Sequence, residues 1–78
     1  MKAKTETLVI TFHTTAAALK MEREAKEAAL PGRLIPVPRE ISAGCGLAWA
    51  TEPENEADFK ALVERAGIAC GESRVLMI

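Results

Sequence analysis

The chain predicts an α+β sandwich in which one four-stranded antiparallel sheet carries two helices on one face. Three observations predict it. Short runs with period-two alternation and two longer runs with helical spacing follow one another in the order β-α-β-β-α-β. Prolines and glycines punctuate the boundaries. Pro36 and Pro38 stand two apart in the second strand segment, a spacing with topological meaning.

Each element has its own signal. Residues 7–12, TLVITF, set Leu8, Ile10 and Phe12 against Val9 and Thr11, a strand with one clearly apolar face. The hydroxyl of Thr14 or Thr15 can cap the helix that follows. That helix is expected to run to about Leu30. Ala18, Met21, Ala25 and Ala28 form its inner stripe, Lys20, Arg23, Glu24 and Glu27 lie opposite, and Pro31 and Gly32 end it. A mostly alanine stripe allows close approach to a sheet. RLIPVP (33–38) reads as the second strand and GLAWAT (46–51) as the third. Asn55 is the expected N-cap of the second helix, with Glu56 and Asp58 in its first turn. Phe59, Leu62, Val63 and Ala66 form its stripe, and Gly67 followed by Ile68 closes it. RVLMI (74–78) is the expected last strand.

This order matches a ferredoxin-like sandwich with strand order 4-1-3-2. The prolines agree with it. Residues two apart in a strand point their backbone N–H positions to the same side, so Pro36 and Pro38 leave one side without donors. Such a strand belongs at a sheet edge, and in this order the second strand is an edge. The prolines then guard that edge against pairing with other chains.

A length of 78 residues predicts one domain, 1–78, with a modest core. Ten basic against eleven acidic residues give no electrostatic case for nucleic acid or an anionic membrane. TLVITF is too short to span a bilayer, and no signal-peptide pattern surrounds it, so the expected location is the cytoplasm. Two cysteines are too few for a disulfide scaffold, and both are expected to be free thiols.

In the predicted topology three connections meet at one end of the sheet. They are the turn His13–Thr14–Thr15, the loop REISAGCG and the loop GIACGES. Cys45, Cys70, His13 and the start of the first helix should therefore share that end. A helix N-terminus, a nearby arginine and a protonated histidine each favour a thiolate. Cys45 could have all three, with Arg39 as the arginine. Gly44 and Gly46 leave its sulfur unshielded. Taken singly, Cys70 beside Gly71 reads as a small packed residue, His13 as a turn residue, Arg39 as a solvated edge charge and Trp49 as a side chain packed on the sheet or half covering its open face. No metal or cofactor is expected. Cys45, Cys70 and His13 would supply only three ligands without the usual spacing, and no Walker-type or G-x-G-x-x-G loop occurs.

From Leu8 to about Ala66 the chain resembles the small bacterial Se/S carrier protein-like domains. PVPR, then IS, then CG is the most specific part, covering Pro36, Pro38, Arg39, Ser42, Cys45 and Gly46. The resemblance implies a cysteine that holds sulfur or selenium as a persulfide or selenopersulfide, and it places that role on Cys45. It implies donor and acceptor proteins as partners. It assigns nothing to Cys70.

Three functions follow as expectations. The first is a sulfur or selenium carrier, an accessory protein rather than a stand-alone enzyme, with Cys45 as the carrying thiol. Gly44, Gly46, Arg39 and Ser42 would support it, with His13 and Cys70 as further candidates. The second is a non-catalytic binding or regulatory module. The third is a thiol redox protein using Cys45 and Cys70. Several strands are apolar on both faces, as in Val9 against Ile10 and Leu76 against Val75, so the helix-free face is expected to be an apolar patch suited to a homodimer or partner.

Overall fold

A computed structural model describes residues 4–41 and 45–78. The elements are β1 (Glu6–Phe12), α1 (Thr15–Glu27), β2 (Arg33–Pro36), β3 (Leu47–Thr51), a 3-10 turn (Pro53–Asn55), α2 (Glu56–Ala66) and β4 (Cys70–Met77). All strand pairings are antiparallel, and the sheet order is β2-β3-β1-β4. This is the expected 4-1-3-2 sheet read from the other edge.

The main core lies between the sheet and both helices. Leu8, Ile10 and Phe12 of β1 and Trp49 of β3 pack against Ala18, Met21 and Ala25 of α1 and Phe59 and Leu62 of α2. The alanines of α1 let it lie close on the strands, and the Trp49 and Phe59 rings meet at 5.9 Å with a 52° tilt. Gly32 makes room for this tryptophan. Its φ is +143°, and a Cβ there would fall 2.5 Å from the indole nitrogen.

The helix ends follow their residues with three differences. Thr14 is the α1 N-cap, its hydroxyl accepting from the N–H of Ala17 at 3.1 Å. Gly67 ends α2 at φ 67°, and the Ile68 N–H donates to the Val63 carbonyl. The first difference is that α1 stops at Glu27, not near Leu30. Ala29 adopts φ 57° and Leu30 turns back, its N–H on the Ala25 carbonyl and its side chain against the core. Ala28 is therefore exposed, outside the buried stripe. The second is Asn55, which makes no capping bond with its side chain. A preceding 3-10 turn places the amide to donate to the Thr51 hydroxyl at 3.1 Å. The third is β4, which begins at Cys70 instead of Arg74 and pairs with β1 as far as Phe12. The side chain of Thr11 supports this extension across a register shift: its Oγ1 accepts from the Glu72 N–H at 2.7 Å and donates to the Glu72 carbonyl.

β2 is an edge, as the prolines require. The strand proper ends at Pro36, and the Val37 N–H still donates inward to the Gly46 carbonyl at 3.0 Å. The nitrogens of Pro36 and Pro38 therefore lie on the outward side, where no donor is needed.

The helix-free face is not the open patch expected from its composition. After Pro38 the chain folds back over it. Ile41, 3% exposed, packs on Val9 and Ala48, with Ile35, Val37 and Leu76 around them. Arg74 of β4 donates to the Glu40 carbonyl at 3.0 Å. The connection from β2 thus reaches the far strand and buries the apolar centre of the face from within the chain. Val9 and Ala48 at its centre are thereby fully buried, and a groove lined by Thr7, Ile35 and Ala50 remains beside them.

Candidate functional site

The expected meeting of connections at one end of the sheet is present, and Phe12 is its pivot. The Cys45 N–H donates to the Phe12 carbonyl at 3.3 Å, on the β3 side. Phe12 pairs with Cys70 on the β4 side. One residue further, the exposed His13 lies beside β4, its Cε1 3.8 Å from where a Gly71 Cβ would stand. Thr14 then starts α1. Cys45, Cys70, His13 and the α1 N-terminus therefore gather at the C-terminal end of β1.

The two thiols differ in setting. Both are free and half-buried, and both pack against the main core. Cys45 is thus less open than a cysteine between two glycines suggests. Its backbone is anchored on Phe12, and its Sγ faces the Leu47 carbonyl at 3.9 Å, a weak donor contact. On its C-terminal side Gly46 adopts φ 88°, and a Cβ there would meet nothing within 4 Å among the described residues. Among the described residues the space beside Gly46 is open, while the Cys45 thiol is half-buried. Cys70 lines a groove of about 270 Å³ between α2 and β4, with Leu8, Ile10, Phe59 and Val63. Burial pushes the Cys70 thiol up from its ordinary range.

Arg39 is placed elsewhere. It lines a groove on the helix-free side with Ile35, Thr7 and Ala50, and among the described residues no hydrogen bond joins it to Cys45. The chain's return over that face carries it there. Ser42 and Gly44 lie outside the described residues. Trp49 is buried under the helices, away from the helix-free face. Sequence reasoning missed Ile41 and Glu40, which anchor the loop before Cys45. The one large apolar side chain in the loop REISAGCG was the available signal.

Among the described residues no group of three or more His, Cys, Asp or Glu side chains is arranged to hold a metal ion. No helix there is long and apolar enough to cross a membrane. What fold and site define is a small α+β domain presenting one thiol beside an open glycine turn and a second in an apolar groove.

The family described as "Putative Se/S carrier protein-like" matches residues 7–72. The chain belongs to that family. No curated protein and no solved structure matches it.

Proposed function

We propose that this protein carries sulfur or selenium on Cys45 between a donor and an acceptor protein. The observation that carries the reading is the family membership, whose matched span includes Cys45. The geometry at Cys45 supports it. The backbone is pinned to Phe12, which fixes where the sulfur sits, and Gly46 leaves an open approach for a partner's cysteine.

The transfer balances without any further reagent. The Cys45 thiolate attacks the outer sulfur of a donor persulfide. The donor S–S bond breaks, a new S–S bond forms on Cys45, and the donor leaves as a thiolate. An acceptor thiolate then attacks the outer sulfur, and Cys45 leaves as a thiolate in turn. A selenopersulfide follows the same steps. Cys45 is regenerated, and the domain supplies presentation, not bond activation.

A thiol redox role would need a Cys45–Cys70 bridge. Cys45 meets β1 from the β3 side and Cys70 pairs with it from the β4 side. Positions flanking a strand on opposite sides stand about 10 Å apart, beyond the ~7 Å that a disulfide spans between Cα atoms. This favours the carrier reading.

The test is mass spectrometry after incubation with a cysteine desulfurase and cysteine, then separately with the desulfurase and selenocysteine, which leave a persulfide and a selenopersulfide on the donor. Addition in steps of one sulfur or selenium atom, lost in Cys45→Ser and kept in Cys70→Ser, is the expected result. No addition to the wild type, or addition only at Cys70, overturns the proposal.

A further inference from the structure

The two edges of the sheet are built differently. β2 is short and carries prolines on its outer side. β4 runs for eight residues, pairs with β1 alone among the described residues, and contains neither proline nor lysine. A long edge with unpaired backbone groups is a template for another strand, and on β4 the charged Glu72 and Arg74 restrict which strands it accepts. The outward-facing groups of β4 follow from its pairing. Thr5 and Ile78 exchange both backbone hydrogen bonds at 3.1 Å. By the alternation of antiparallel ladders, Leu76 and Arg74 also face β1, so the N–H and C=O groups of Ser73, Val75 and Met77 point to the free edge. Val75 and Met77 are 49% and 54% exposed, on the helix side where α2 stops short of β4.

We propose that this edge pairs with β4 of a second copy, antiparallel about a two-fold axis at Ser73. Three two-fold registers use the outward groups of Ser73 and Val75. An axis at Arg74 sets Arg74 against itself. An axis at Val75 sets Arg74 against Leu76 and Glu72 against Ile78. The axis at Ser73 sets Glu72 of each copy opposite Arg74 of the other, and it does so twice. Like charges directly opposite one another destabilise a strand pair, and opposite charges stabilise it. Glu72 and Arg74, now 3.3 Å apart along one strand and about half exposed, would exchange partners across the axis.

The same register satisfies the helix side. Val75 of each copy lies opposite Gly71 of the other. Gly71 has no side chain and lines the groove between α2 and β4 together with Cys70 and Phe59. The space that a Gly71 Cβ would take is filled by the Thr11 hydroxyl, 2.7 Å away, so the exposed Val75 side chain meets backbone beside the apolar groove. Charge selects this axis, and the resulting sheet has eight strands. The surface is the β4 edge and its helix-side groove, distinct from the helix-free face that Ile41 covers. Cys45, on the β3 side of β1, stays clear of it.

The test is the oligomeric state by light scattering and native mass spectrometry across protein concentration. The wild type is expected to dimerise. Arg74→Glu, which faces Glu72 with Glu, is expected to weaken the dimer at least tenfold, and Glu72→Arg combined with Arg74→Glu is expected to restore it. Hydrogen exchange of the wild type gives a second reading that needs no variant. The Ser73 and Val75 amides should exchange quickly in dilute solution and become protected as concentration rises. A wild type that remains monomeric at high concentration overturns the proposal. So does a dimer indifferent to Arg74→Glu, or protection that leaves Ser73 and Val75 unchanged.

Discussion

The Cys45 N–H donates to the carbonyl of Phe12 at 3.3 Å, and this bond ties the loop cysteine to the end of the central strand. Phe12 is buried to 1% exposure, so the anchor is part of the core. Its other neighbour is Cys70. Two cysteines 25 positions apart in the chain (70 minus 45) thereby share one end of the sheet while remaining on opposite sides of β1.

Oxidation follows from that arrangement. Mild oxidation of the wild type should yield no Cys45–Cys70 disulfide under non-reducing peptide mapping, because the flanking positions lie too far apart for a bridge without backbone movement. Recovery of that bridge in high yield would reinstate a redox role.

The Cys70 thiol should titrate above a free cysteine. Burial penalises the charged form of Cys70, so its thiol stays protonated to higher pH than a free cysteine. Alkylation proceeds through the thiolate. In Cys45→Ser, iodoacetamide labelling of Cys70 should therefore rise only at a pH above that at which the urea-unfolded protein is labelled. Coincident profiles for folded and unfolded protein would contradict this assignment.

Ile41 is expected to couple stability to the Cys45 loop. Its side chain fills the space above Val9 and Ala48 on a face the helices do not cover. Ile41→Ala should cost about 2–4 kcal/mol in denaturant unfolding, as other buried isoleucine truncations do. It should also speed alkylation of Cys45, because the loop loses an anchor on its N-terminal side. A change below about 0.5 kcal/mol, the scale of surface substitutions, would mean that Ile41 does not hold the face.

Gly32 is set by Trp49. A methyl group at this position would overlap the indole, and the φ of +143° is one that L-residues rarely adopt. Gly32→Ala should destabilise by roughly 1–3 kcal/mol, the usual cost of overpacking, and should shift tryptophan fluorescence. An unchanged unfolding midpoint would show that the β2 entry can move away from the ring at no cost.

Several features were legible in the sequence because they depend on local chemistry. Period-two and helical patterns reported the elements, since each residue's face is set by its own backbone geometry. Pro36 and Pro38 reported the edge, since a missing N–H cannot join a ladder wherever the strand lies. Thr14 and Gly67 marked helix ends through capping and left-handed conformation, both short-range effects. The motif around Cys45 carried the family.

Other features were decided only by tertiary packing. Asn55 turned to Thr51 because a 3-10 turn came before it, and Leu30 drew the end of α1 back because the core offered it a site. β4 reached Cys70 because the Thr11 hydroxyl bridged an irregular register. The apolar helix-free side of the strands was visible in composition, but what covered it was not. Alternation says that Val9 and Ala48 need burial, and only the path of the chain supplies Ile41 to bury them. That same path carried Arg39 onto the helix-free face and left Cys45 at the junction with Phe12. The direction of a loop depends on contacts between residues distant in the chain, and no local pattern encodes it.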